Sequence, residues 1–405
     1  MDSPREARLA VDGGAPVRSA PWPRWPAYDE EQIEAASAVL RSGRVNYWTG
    51  DNGRSFEREY AESLNVGHGI ALANGTVALE LCLWALGIGP GDDVVVTSRS
   101  FVASASCVAA RGARPVFADV DLDSQNVTAA TIEQALTPQT RAIIVVHLYG
   151  WPADLDSIME LAARHDIKVI EDCAQAHGAT YKGRLVGSIG HVNAFSFCQD
   201  KIITTGGEGG LLTTDDESIW NTAWSLKDHG KSYDTVYRKK HPPGYRLLHE
   251  AFGTNFRMTE MQAAMGRIQL RELPKQVALR RRNAAILTES FQQLPALRVV
   301  HPPADVEHSY YKYSVCVRPE RLKPGWDRHK VQDAIGAEGV PCSSGYLPMY
   351  REKVFPADWT PKEELPNSSE LGDTSLLFPV HPTLEEADMR SLCDAVEKVL
   401  SAATA

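Results

Sequence analysis

Between residues 70 and 214, short apolar runs alternate with stretches that read as helices, and no other feature constrains the fold as strongly. Val94–Val96, Val116–Ala118, Ile143–Val146, Val169–Ile170, Ala194–Phe197 and Leu211–Thr214 are the strand-like runs. The β-branched ones are continuously apolar, the pattern of strands buried on both faces. Thr76–Leu86 precedes the first of them as a helix, and Val102–Ala110 and Asp154–Arg164 lie between them as helices, the last clearly amphipathic. Alternation of this kind predicts an α/β fold with a mostly parallel central sheet covered on both faces. Ligands of such sheets sit at the carboxyl ends of the strands.

Two stretches with chemical potential fall at such ends. Residues 195–210 read Phe-Ser-Phe-Cys-Gln-Asp-Lys-Ile-Ile-Thr-Thr-Gly-Gly-Glu-Gly-Gly, which places Lys201 between an apolar strand and a glycine-rich loop. Asp172 closes the run Ile167–Asp172, 29 residues upstream of that lysine. A lysine is by default a surface residue, and an aspartate after a strand is by default a helix cap. Together they are what pyridoxal phosphate chemistry needs: an amine able to form a Schiff base, and a carboxylate able to hold a pyridinium nitrogen. Burial would lower the lysine's pKa and expose a nucleophilic amine. Asn74-Gly75-Thr76 opens a predicted helix, whose free N–H groups and dipole suit a phosphate. Ser196 could add a hydroxyl to the same phosphate, and Phe101 an aromatic face for a cofactor ring. The histidines lack metal-ligand spacing, so no metal is expected. Gly87-Ile88-Gly89-Pro90-Gly91 precedes a strand instead of following one and reads as a turn.

The rest of the chain divides into an irregular arm at 1–28, a large α/β domain at 29–260, and a linking helix with a small α+β domain at 261–405. Asp29 caps a predicted helix over Glu30–Arg41 that Gly43 stops, and a second covers Arg54–Leu64. Thr259–Gln293 reads as one long linking helix broken at Pro274. A strand over Tyr311–Val317 and helices over Asp327–Glu338 and Leu384–Leu400 complete the small domain. With 405 residues, 43% of them hydrophobic, the chain can build two cores. Its formal charge of −10 argues against non-specific binding to nucleic acid or an acidic membrane. Seven scattered cysteines without a CxxC pair point to a reducing cytoplasm. The charged, proline-rich start lacks the apolar stretch of a secretory leader, and no run approaches the ~20 residues of a membrane span.

Taken with their order, these segments resemble the DegT/DnrJ/EryC1/StrS aminotransferases, a sugar aminotransferase branch of the fold-type I pyridoxal phosphate enzymes. The likeness runs through Trp48-Thr49-Gly50, Asn74 to Leu79, Ser100 to Ala103, Pro115 to Asp121, His147 to Gly150, Glu171 to Gly178, Phe195 to Gly210, Gly253 to Met258 and Phe378 to Pro382. It implies that Lys201 binds the cofactor covalently and then shuttles a proton, that Asp172 holds the pyridinium, and that Gln175 meets the ring oxygen. It further implies that Phe101 stacks on the ring and that Gly75, Thr76 and Ser196 hold the phosphate. Asn255 would reach the phosphate of a neighbouring subunit, which makes the enzyme an obligate homodimer with a shared active site. Glutamate is the implied amino donor, and a nucleoside-diphosphate-linked 4-keto-6-deoxy sugar the implied acceptor. The alternatives are a cyclitol ketone or aminoshikimate-type acceptor, or a non-catalytic cofactor-binding regulator. The lysine itself argues against the family's dehydratases, which carry histidine there. Two departures stand out: Gly206-Gly207-Glu208 makes the loop one residue longer, and Tyr350 stands where many relatives have histidine. A basic stretch, Arg238, Lys239, Lys240 and Arg246, is a candidate for the sugar nucleotide's diphosphate.

Overall fold

In the computed structural model, which describes residues 8–245 and 247–404, a seven-stranded sheet forms the centre. Arg246 and the first seven residues of the expected arm lie outside the described residues. The strands run in the order His68–Leu72, Gly210–Thr214, Val192–Ser196, Lys168–Asp172, Thr140–Val146, Asp93–Thr97, Arg114–Ala118. The last five are mutually parallel. Gly210–Thr214 alone runs against its neighbours.

Side-chain alternation explains why the central strands are apolar throughout. Val94, Val96, Ile144 and Val146 face a core closed by helices Gly75–Ala85, Ala103–Ala110 and Glu217–Leu226. Val95, Ile143, Val145 and Val169 face the other core, closed by Ala129–Ala135 and Leu155–Arg164. Each strand therefore buries both faces, and the helices predicted from sequence lie where the parallel connections require them.

The small domain is built on an antiparallel sheet in the order Leu297–Arg298, Tyr313–Val317, Ser375–Phe378, Ser343–Ser344. Helices Arg328–Ala337 and Glu386–Ala403 cover it, each within two or three residues of expectation at either end. Leu9 is buried in this same core, so the early residues pack on the small domain.

The linking helix is a single unbroken element of 32 residues, Glu260–Phe291, and the break expected at Pro274 does not occur. An internal proline costs a helix about 3 kcal/mol. Here the residues before it pack Ala263 against Phe56 and Phe197, and those after it bury Ala284, Leu287 and Phe291 in the small-domain core. Packing on both sides of the proline outweighs its local penalty. Among the described residues, no helix is long and apolar enough to cross a membrane.

Candidate active site

A cleft of about 540 Å³ opens at the carboxyl ends of the Lys168–Asp172 and Val192–Ser196 strands. Gly75, Thr76, Phe101, Asp172, Gln175, Ser196 and Lys201 all line it. Asn255, the remaining residue expected at the site, does not: it is exposed, and its side-chain oxygen accepts the Arg257 backbone N–H at 3.3 Å.

Asp172 is the last residue of its strand and only 5% exposed. Its Oδ1 accepts the Ala174 N–H at 3.1 Å and its Oδ2 the Ser104 hydroxyl at 2.9 Å. Burial drives its pKa up, tempered by those two hydrogen bonds and the charge of Lys201. A buried anion with two donors still has acceptor capacity, which suits a cationic ring N–H pointing out of the cleft.

Lys201 follows the Val192–Ser196 strand on a loop tied by its own N–H to Cys198 O at 3.0 Å. Its Nζ lies 3.7 Å from Asp200 Oδ1 and 4.7 Å from the centre of the Tyr311 ring. The Tyr311 hydroxyl donates to the other Asp200 oxygen. Burial alone would raise the Asp200 pKa, but the Lys201 charge and the Tyr311 bond hold it below the usual range. The inserted glycine is accommodated by two left-handed residues, Gly206 (φ 87°) and Gly207 (φ 120°). Only glycine adopts such a pair without strain, and it folds the loop back so that Gly207 O accepts the Gln199 N–H at 3.0 Å.

Opposite the aspartate lies the start of helix Gly75–Ala85, where Asn74 Oδ1 accepts the Val77 N–H at 3.0 Å. A Cβ on Gly75 would come within 2.5 Å of Ser196 Cβ, so only glycine lets the helix start approach that serine. His177 secures the serine from behind, its ring N–H donating to Ser196 O at 2.8 Å while its other nitrogen takes the Tyr60 hydroxyl at 2.8 Å. Burial pushes the His177 pKa down to about 4, so the ring is neutral and can serve both partners. The free N–H groups, the Ser196 hydroxyl and the helix dipole converge on one small space, an arrangement suited to a phosphate.

Gln175 accepts the Tyr149 N–H at 2.8 Å and faces Tyr346, whose ring stacks on Tyr149 at 5.8 Å. Phe101 stands 57% exposed, its ring open to the cleft. Behind the site, Glu171 and His147 form a fully buried pair at 2.9 Å. Tyr350, which replaces the expected histidine, packs on Phe117 and bonds Glu364 at 3.2 Å. Arg238 and Lys239 of the basic stretch pair with Asp234, Glu217 and Glu250 in their own neighbourhood.

Sequence reasoning missed Ser104, Asp200, Tyr311 and Tyr346. Asp200 carried a usable signal, as an acid beside the key lysine. Ser104 is one of several serines in 98–106, and only the helix phase selects it.

A profile of the DegT/DnrJ/EryC1/StrS aminotransferase family matches residues 26–397. The L-glutamine:2-deoxy-scyllo-inosose aminotransferase of Streptomyces kanamyceticus is 38% identical, over 98% of this chain and 97% of its own. The GDP-perosamine synthase of Caulobacter vibrioides is 38% identical, over 87% of this chain and 92% of its own. Among solved structures, an aminotransferase from Psychrobacter cryohalolentis superposes with a TM-score of 0.93 at 49% identity, covering 95% of this chain and 100% of that one.

Proposed function

We propose that this chain, which belongs to the DegT/DnrJ/EryC1/StrS aminotransferase family, is a pyridoxal phosphate enzyme that moves an amino group from glutamate to a nucleoside-diphosphate-linked 4-keto-6-deoxy sugar. That it is an aminotransferase follows from the family and its relatives. The observation that supports the cofactor is that Asp172, at the end of its strand, and Lys201, on the loop that follows the adjacent strand, face one cleft.

The residues fit the group. Asp172 would hold a proton on the ring nitrogen, Gly75, Thr76 and Ser196 would take the phosphate, and Gln175 and Phe101 would meet the ring's edge and face. Bound there, pyridoxal phosphate supplies an electron sink that lets an amino group leave one carbon skeleton and join another. Lys201 has the part of carrying a proton at Nζ, taking it from the donor's α-carbon and later delivering it to the former ketone carbon of the acceptor. Asp200 and Tyr311 lie against that amine and steady it. Asn255 is assigned to the cleft of a neighbouring subunit, in a homodimer whose two sites are shared.

The acceptor reading is supported by relatives such as the GDP-perosamine synthase. A second reading, a cyclitol ketone, is favoured by the likeness to the 2-deoxy-scyllo-inosose enzyme over nearly the whole chain. The test supplies ¹⁵N-glutamate or amide-labelled glutamine together with either a thymidine-diphosphate 4-keto-6-deoxy sugar or 2-deoxy-scyllo-inosose. Mass spectrometry then reads which acceptor gains the label. Label in the nucleotide sugar supports the proposal; label in the cyclitol alone replaces it with the second reading.

A further inference from the structure

We infer that Trp25, from the early irregular segment, is a positioning residue for Lys201. The inference rests on the reading of Lys201 as the amino-transferring lysine.

The Trp25 indole N–H donates to the Lys201 backbone carbonyl at 3.0 Å, across 176 residues of sequence. Among the described residues no other group donates to that carbonyl. The lysine's peptide is thus held from two sides: its N–H by Cys198 O within the loop, and its C=O by Trp25 from outside. The residues after it include a run of glycines with little stiffness of their own.

The other face of Trp25 belongs to the small domain and the linking helix. Its ring stacks on His381 with centroids 6.1 Å apart and planes 20° from parallel. The Arg280 guanidinium lies 5.1 Å from the ring centre. The preceding residue is fixed too, because Thr383 Oγ1 donates to Arg24 O at 3.1 Å. Three residues earlier, the Trp22 indole donates to Gly339 O at 2.6 Å, and Arg18 pairs with Asp388 at 2.7 Å. Trp25 is therefore the end of an anchored strap. It carries the position of the small domain directly to the backbone of the lysine.

A lysine that must swing between cofactor and substrate needs a fixed root if its Nζ is to arrive at one place repeatedly. A tryptophan suits this role. Its ring gives a broad packing surface with few rotamers, and its single N–H fixes direction. His381 and Arg280 hold the ring plane, so the N–H points one way.

The experiment compares wild type, Trp25→Phe and Trp25→Ala in the protein loaded with pyridoxal phosphate. Trp25→Phe keeps an aromatic ring for stacking, a smaller one, and removes the N–H. Three quantities are read: the single-turnover rate of 2-oxoglutarate release from glutamate with its half-saturating concentration, the pH midpoint of the cofactor's visible absorbance, and the melting temperature. The expected result for Trp25→Phe is a rate about five-fold lower, the fold-change equivalent to a hydrogen bond of about 1 kcal/mol. The half-saturating concentration stays the same, the absorbance midpoint moves by about half a pH unit, and the melting temperature falls by no more than about 2 °C. Trp25→Ala shows the same changes, enlarged, with a lower melting temperature. A Trp25→Phe protein with wild-type rate and wild-type midpoint overturns the inference. So does a slowed variant whose midpoint has not moved and whose melting temperature has fallen by more than about 5 °C, since that is loss of fold. If wild type itself releases no 2-oxoglutarate while Trp25→Phe still shifts the midpoint, the donor assignment fails and the positioning role stands.

Discussion

Replacing Glu171 with glutamine changes one atom and should cost the protein several kcal/mol. Glu171 is fully buried and accepts four N–H groups. Ile189 and Gly190 donate to Oε1 at 2.7 and 2.6 Å. Gly187 and His147 donate to Oε2, both at 2.9 Å. The histidine's tautomer is fixed, because its Nδ1 accepts the Ala153 N–H at 3.1 Å, so Nε2 carries the proton. A glutamine must aim its NH₂ at one of these two donor pairs. Whichever way it turns, two N–H groups lose their acceptor and meet another donor. At about 1–2 kcal/mol for each orphaned group, and with the carboxylate's stronger bonds to the others weakened, the loss is about 3–5 kcal/mol. The melting temperature should fall by roughly 4–6 °C, whereas Glu160→Gln on the exposed side of its helix should leave it in place. The four bonds also set a pH dependence. Burial tends to raise the Glu171 pKa, but His147 and the backbone donors outweigh it and hold the carboxyl below its ordinary value. A depressed carboxyl contributes stability that is fully present above its unfolded pKa, about 4.3, and lost as pH falls through the lower folded value. The gap between wild type and Glu171→Gln should accordingly be constant from neutral pH down to about 5 and narrow below that. Thermal melts across that range provide the assay. A drop of under 2 °C at pH 7, or a gap that widens in acid, would refute the reasoning.

Four further outcomes are expected. Gly75→Ala puts a methyl 2.5 Å from Ser196 Cβ; overpacking of this kind costs about 1–3 kcal/mol, so pyridoxal phosphate affinity by equilibrium titration should fall about ten-fold or more. Tyr311→Phe removes one of the groups that hold the Asp200 pKa down; the acid limb of the kcat profile should move to higher pH, and an unmoved limb would separate Asp200 from the amine's chemistry. Lys201→Ala should leave the cofactor bindable but not trapped by borohydride, while Asp172→Ala should lower its affinity and abolish amino transfer, both read by spectroscopy and mass spectrometry.

Much of this was legible in the sequence, and the reasons differ by element. The central strands were plain because burial on both faces leaves no polar alternation to confuse with a helix: Val94–Val96 and Ile143–Val146 sit inside the observed strands. His68–Leu72 was not read, since its apolar part is only Ile70-Ala71-Leu72 after His68-Gly69. Helix Ala129–Ala135 escaped because its seven residues bury only Ile132, too little for a periodic signal. Pro274 misleads in the sequence, because the local rule for proline gives way where packing at both ends of the helix decides. At the site, Lys201 and Asp172 were visible as charged residues ending apolar runs, which is anomalous in itself. Ser104 and Tyr311 were not, as each belongs to a local crowd of similar residues and is selected only by three-dimensional position. Trp25 was hidden most completely: it lies in a proline-rich segment with no periodicity, and its partner is 176 residues away.

The burial of Leu9 in the small-domain core carries a consequence for how the protein is made. Glu338 accepts the N–H groups of Ala10 at 2.8 Å and Val17 at 3.1 Å, and also holds Lys398 at 2.8 Å. On the ribosome, Arg18 emerges 370 residues before Asp388, its salt-bridge partner. The large sheet can assemble in the interval, cleft included, while the early segment has no surface to settle on. Docking of that segment is then a closing event, slow by the length of loop it must seal, and Trp25 reaches its place only as part of it. A nascent chain would thus hold its lysine unbraced until the small domain is finished, so that completion of that domain and readiness of the site coincide.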